Sequence, residues 1–180
     1  MFRKMRRNDK KMDQNKALEI LKNGEYGVLS TIGKNEYCYG VPLNYVYENN
    51  SIYFHSAKEG HKIDNLKLHQ KVSFCVVKNQ KPIPEKLTTK YESIVVFGKA
   101  EFVEGKEKED ALIALTKKFA PEHMEKGKQS IKKEFNITEI VKISIDHITG
   151  KKSLWLNNLH RTTQKVQMKN LFKFLELDKT

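Results

Sequence analysis

Arginine is missing from nearly the whole chain. Between Arg7 and Arg161 there is none. Any anion site in that stretch must therefore use lysine, histidine, hydroxyls and backbone N–H groups, not a bidentate guanidinium fork. No apolar run approaches the roughly 20 residues needed to span a bilayer. The basic start, MFRKMRRNDKK, has no apolar stretch behind it. It does not read as a secretory signal, and a cytoplasmic location is expected. Cysteine is scarce. Cys38 and Cys75 each sit in an apolar or aromatic stretch and are expected to be buried free thiols. The paired Cys/His spacing of a zinc site is absent. There is no Pro/Gly-rich linker and no internal repeat, and 180 residues fit one domain with a real core.

What is abundant is positive charge, with a formal net charge of +12. Its placement decides what it means. Residues 1–12 carry a net +5 and residues 151–180 another +5, leaving +2 over everything between. Basic ends add loose, salt-dependent affinity for polyanions. They do not make a nearly neutral middle into a nucleic-acid reader.

The middle reads as strands with helices at intervals. Residues 13–23 predict a helix, with Asp13 as N-cap and Gly24 as stop. YGVLSTI (26–32), YCYGVPLNYVY (37–47) and SIYFHS (51–56) predict a three-stranded meander. Pro42 cannot donate to a ladder, so its strand should be bulged or have an open edge. A short helix over 60–69 precedes a buried strand, KVSFCVV (71–77). KNQKPIPEKLTTK (78–90) reads as a loop. YESIVVFGKAEFV (91–103) reads as a long strand, bent at Gly98. Amphipathic helices follow over 106–119 and about 121–134. ITEIVKISI (137–145) reads as a strand, and DHITGKK (146–152) as a turn. Hairpins dominate, so the expected class is mainly β with helices (α+β), an antiparallel barrel rather than a parallel sheet. Residues 1–11 form a basic N-terminal segment, 12–152 the domain, and 153–180 a basic, helical extension. Trp155, the only tryptophan, would pack in a core or stack on a bound ring or a partner subunit.

One stretch concentrates chemistry: YFHSAKEGHKIDNL, residues 53–66. A strand ends there and feeds a helix whose N-terminus presents free N–H groups and partial positive charge. Ser56, Gly60, His61 and Lys62 supply a hydroxyl, a permissive backbone and cationic groups, the types that hold a phosphate. The other reading is a solvated turn with surface lysines. Neither a Walker A loop nor G-x-G-x-x-G is present. A metal held by His55 and His61 would lack a third ligand. Ser56 beside His55 is adjacency without a nucleophile elbow.

Six collinear pieces then carry a resemblance. They are YGVLST, YGVPLNYVY, IYFHSAKEGHKIDNL, VSFCVV, TTKYESIVVFGKAEFV and ITGK, spanning about residues 12–152. Together they resemble the FMN-binding split-barrel superfamily related to pyridoxamine 5′-phosphate oxidase, and within it the nitroimidazole-resistance branch. The resemblance implies a split β-barrel forming a homodimer with flavin sites at the interface. It implies that Pro42, Leu43 and Asn44 lie along the isoalloxazine ring, with a bulge at Pro42 freeing backbone groups for the ring edge. His55, Ser56 and Lys62 would hold the phosphate, with Ala57 and His61 nearby. Tyr91 and Ser93 would approach the same phosphate or the ribityl chain, and Thr149 and Lys151 would close the site. Relatives often carry arginine where this chain has His61. A His–Lys pair attracts a dianion less strongly as pH rises.

The implied function is flavin-dependent reduction of a small-molecule substrate, with FMN or FAD as cofactor and a nicotinamide cofactor as electron donor. For nitroimidazoles the product would be an amine. His55 is the expected substrate-touching, catalytic residue, against a purely structural role. Pyridoxamine-phosphate oxidation needs a second, arginine-rich phosphate site, which the arginine-free core does not offer. Haem or deazaflavin binding is a further alternative. A non-catalytic nucleic-acid-binding module is the alternative from another class.

Overall fold

The computed structural model describes residues 1–153. The helical extension and Trp155 expected from the sequence lie outside the described residues. The chain forms α1 (Gln14–Asn23), β1 (Tyr26–Ile32), β2 (Cys38–Asn44), β3 (Val46–Glu48), β4 (Ser51–Ala57) and α2 (His61–Leu68). It continues with β5 (Lys71–Ile83), β6 (Thr88–Val103), α3 (Gly105–Phe119), α4 (Met124–Glu134) and β7 (Thr138–Ser153). Asp13 caps α1 as expected, its carboxylate accepting from the N–H groups of Asn15 and Lys16.

The seven strands form one antiparallel sheet in the order β2-β1-β5-β6-β7-β4-β3. Its two edge strands, β2 and β3, are consecutive in sequence with only Tyr45 between them. The sheet must therefore curl until its edges approach each other, which makes a split barrel. This corrects the meander: β2 and β3 are successive pieces of one run that leaves one edge and joins the other.

Three further local expectations change. Residues 78–90 are no loop: β5 and β6 extend their hairpin to Ile83↔Thr88, with a register shift between Lys78 and Lys81. Residues 146–152 are no turn: β7 runs through them, paired with β6 from Tyr91↔Ser153 onward. Pro42 makes no bulge, since the β1–β2 register is unbroken from Tyr26↔Asn44 to Ile32↔Cys38. Its alternative holds, because β2 is an edge strand, where a missing N–H is tolerated. The irregularity expected at Gly98 is present as a shift between Phe97 and Gly98.

The core fills the barrel. Leu29, Phe54, Phe74, Ile94, Val96 and Ile143 come from five strands of the sheet and are fully buried, with Leu21 from α1 and Leu66 from α2 closing the ends. Each such side chain contributes about 1.5–3 kcal/mol of burial. A smaller core lies on the outer side of the sheet, where Ala111 and Leu115 of α3 cover Tyr53, Val103 and Ile140. Tyr53 and Lys142 both reach Glu107 of α3, at 2.8 and 3.0 Å. The outer face of β1, β5 and β6 stays open, with Tyr26, Val28, Ile32, Val77 and Phe97 exposed. Phe2 of the N-terminal segment stacks there on Phe97 and His147.

Candidate functional site

Strand β4 divides its side chains between two environments by simple alternation. Ile52, Phe54 and Ser56 point into the barrel and are buried, while His55 and Ala57 are exposed. Ser56 is 5% exposed, and its hydroxyl has no hydrogen-bond partner among the described residues. A buried hydroxyl left unpaired costs about 1–3 kcal/mol, so this atom is set up for a partner that the described residues do not supply.

Four residues on, Gly60 adopts φ 117° and ψ 166°, a conformation open essentially only to glycine. It starts α2 without a side-chain cap. Its carbonyl accepts from the N–H groups of Ile63 and Asp64. The N–H groups of His61 and Lys62 take no acceptor among the described residues. They form the donor pair of a helix N-terminus, with the dipole behind them. Lys62 is half-buried and makes no ion pair among the described residues. Lys58 instead lies 3.9 Å from Glu139.

The turn is held from below. Asn65 is buried and donates to the Thr31 hydroxyl at 2.9 Å, tying α2 to β1. The His61 ring leans over Tyr39 of β2, centroids 4.2 Å apart. The β1–β2 hairpin thereby fixes where α2 begins. Ser56, Gly60, His61 and Lys62 form one cationic corner with a preset backbone and an unpaired hydroxyl, and those features fit a phosphate.

The remaining expected residues fall into two further groups. Pro42 and Asn44 lie on the exposed face of β2, while Leu43 turns inward and packs against the core. Asn44 donates to the Glu25 carbonyl at 3.1 Å. Continuing the β3–β4 register past Val46↔Tyr53 sets Asn44 opposite His55, and both line one cavity. Tyr91, Ser93, Thr149 and Lys151 cluster at the other end of β7. Ser93 pairs with Lys151 and Val95 with Thr149, and the Lys151 ammonium sits 5.5 Å from the Tyr91 ring centre. Ser56 pairs with Glu139 at the near end of that strand. About 40 Å of strand separates Glu139 from Lys151 at ~3.3 Å per residue. Within one chain, the Tyr91–Lys151 group is not brought to the α2 corner.

That distant group does share a sheet face with β2. Register places Pro42, Val28, Cys75, Val95 and Thr149 in one row across five strands. The row lies on the outer face that α3 leaves open. Cys75 is half-buried in it, and burial pushes its thiol pKa up. Cys38 is exposed, so the expectation of a buried thiol fails there. At an edge strand one face has no layer to cover it.

Sequence reasoning missed the cavity itself. It encloses about 360 Å³ between α3, α4 and the ends of β2 and β4. Leu112, Leu115 and Phe119 of α3 and Ile131 of α4 form its apolar wall. The available signal was the breadth of the α3 stripe, wider than a helix needs to cover one sheet edge.

Among curated proteins, none matches the chain. Solved structures do. A provisionally assigned 5-nitroimidazole antibiotic resistance protein from Bacteroides thetaiotaomicron is 24% identical, with TM-score 0.65, covering 78% of this chain and 85% of that one. An FAD-binding protein from Mesorhizobium loti is 19% identical, with TM-score 0.57, covering 80% and 97%. An FAD- and haem-binding protein from Mycobacterium smegmatis is 17% identical, with TM-score 0.71, covering 83% and 77%. These likenesses establish the fold. The family model described as pyridoxamine 5′-phosphate oxidase matches residues 13–152, nearly the whole described chain, and the protein belongs to that family.

Proposed function

We propose that the protein binds a flavin, FMN or FAD, and uses it to reduce small molecules, nitroimidazoles among them. The observation that carries the reading is the α2 corner: an unpaired buried Ser56 hydroxyl, Gly60 at φ 117°, and an uncompensated Lys62. Ser56, Lys62 and the N–H groups of His61 and Lys62 would hold the cofactor's phosphate. Pro42 and Asn44, with His55 and Ala57 across from them, would border its ring. The family match supports the reading, as do the nitroimidazole-resistance and FAD-binding descriptions of structural neighbours. When bound, the flavin supplies the electron transfer, with a reduced nicotinamide cofactor as the proposed donor. The chain supplies binding, orientation and exclusion of water.

The same reading includes a homodimer. One chain alone keeps Tyr91, Ser93, Thr149 and Lys151 far from its own α2 corner, and the open outer face that carries them is apolar at Tyr26, Val28 and Val77. A second copy packed on that face would bury those side chains. It would also offer its Tyr91–Lys151 group to the first copy's flavin. A cytoplasmic location belongs to this proposal; among the described residues no helix is long and apolar enough to cross a membrane.

The test is mass spectrometry of the cofactor released from purified protein. Bound FMN or FAD supports the reading. A protein that neither retains a flavin nor takes one up in titration contradicts it.

A further inference from the structure

The cavity beside His55 differs from the α2 corner in every chemical respect. Its walls carry Leu112, Leu115, Phe119 and Ile131, and no lysine or arginine. At about 360 Å³ it lies at the lower end of the ~300–1,000 Å³ range of small-molecule sites. Its polar groups are few. The side chains of His55, Ser130, Glu134 and Thr138 line it and have no hydrogen-bond or ion-pair partner among the described residues. Glu134 is its one carboxylate.

Two lysines of α3 are engaged elsewhere. Lys118, next to the wall residue Phe119, donates to the carbonyls of Gly24 and Tyr45 at 2.5 and 3.0 Å and lies over the Tyr45 ring. Burial among these groups lowers its pKa. Lys108 is buried, pairs with Glu104 at 3.2 Å and lies over the Phe135 ring. A phosphorylated or carboxylated ligand would meet an apolar wall and a like charge at Glu134, with no lysine or arginine among the lining residues to neutralise it.

We propose that the α3–α4 cavity binds a small aromatic or heteroaromatic amine, unphosphorylated and uncharged or cationic. Its ring lies between Phe119 and Ile131, and its nitrogen donates toward Glu134. His55 and Asn44 stand at the mouth, where the cavity meets β2 and β4. The binding claim stands without a flavin. Identifying the amine as the substrate of the flavin rests on the function proposed above.

The experiment is a saturation-transfer NMR titration of the whole protein with four probes of one shape: benzylamine, benzyl alcohol, benzoate and benzyl phosphate. Flavin content is read by absorbance on the same samples. The amine is expected to bind at least ~10-fold more tightly than either anion, with the alcohol between. Glu134→Gln should bring the amine level with the alcohol, and Ser130→Tyr should abolish binding of both while circular dichroism shows the fold intact. Anions binding as well as the amine overturn the proposal. So does an amine preference that survives Glu134→Gln, or binding unchanged in Ser130→Tyr. Loss of selectivity with flavin retained counts against the cavity alone. Selective binding by a protein that takes up no flavin counts against the proposed function alone.

Discussion

His55 and Ser56 are neighbours in sequence and face opposite environments. Ser56 points inward at the end of β4, four residues before the turn where Gly60, His61 and Lys62 gather donors and positive charge. His55 points outward, into a cavity with apolar walls, no lysine or arginine and one carboxylate. The period-2 alternation of one strand is enough to separate the two. On the proposed reading, a protein with an almost balanced core holds an anion on one side of a strand and refuses anions on the other. The net charge of +12 explains neither side, since it resides mostly at the chain ends.

That contrast can be broken one side at a time. Lys62→Ala removes a positive charge of the corner that makes no ion pair among the described residues. A charge-assisted hydrogen bond contributes about 1.5–3 kcal/mol, so flavin affinity should fall roughly 10- to 150-fold in a fluorescence titration, with the melting temperature of the cofactor-free protein little changed. Gly60→Ala should cost about 1–3 kcal/mol of stability in urea unfolding, because an added Cβ meets nothing in space but cannot adopt the backbone angles. Ser56→Ala carries a sign test. Without cofactor it should leave stability unchanged or higher, since a buried unpaired hydroxyl disappears. With cofactor it should lower affinity by about 1 kcal/mol, the worth of one hydrogen bond. A Ser56→Ala protein less stable without cofactor would mean that the hydroxyl already has a partner.

The smallest effect concerns the cavity side. Glu107 holds α3 to the sheet through Lys142 and Tyr53, and those bonds lower its pKa below the ordinary 4.5. A carboxylate with a lowered folded pKa stabilises above its unfolded value and loses that contribution as pH falls through the folded one. The group is largely exposed, so the contribution is under about 1 kcal/mol. Glu107→Gln should therefore lower stability slightly at neutral pH. The difference from wild type should vanish on acidification below the ordinary glutamate value, as thermal melts across pH would show.

How much of this the sequence reveals depends on whether the deciding force is local. The α1 cap, the limits of β1 and the polar turn before α2 follow from capping, alternation and glycine, and all are legible. Although β7 runs through it, the 146–152 segment reads as a turn because Gly150 resembles a turn residue. Its lack of a Cβ serves close packing instead: an added Cβ would come within 2.9 Å of side-chain atoms of Met12 and Ala17. Residues 78–90 look like a loop by composition, yet antiparallel pairing overrides propensity there. The division of β2 and β3 between opposite sheet edges depends on long-range pairing that no local pattern encodes. The site shows the same split. The corner is contiguous and legible, whereas the cavity is assembled from five elements and is not.

The most direct test compares FMN with riboflavin, which lacks the phosphate, on wild-type protein and on Lys62→Ala. If the α2 corner holds the cofactor's phosphate, FMN binds wild type much more tightly than riboflavin, and Lys62→Ala removes most of that advantage while leaving riboflavin binding unchanged. Riboflavin binding as tightly as FMN, or an FMN advantage that survives Lys62→Ala, would contradict it.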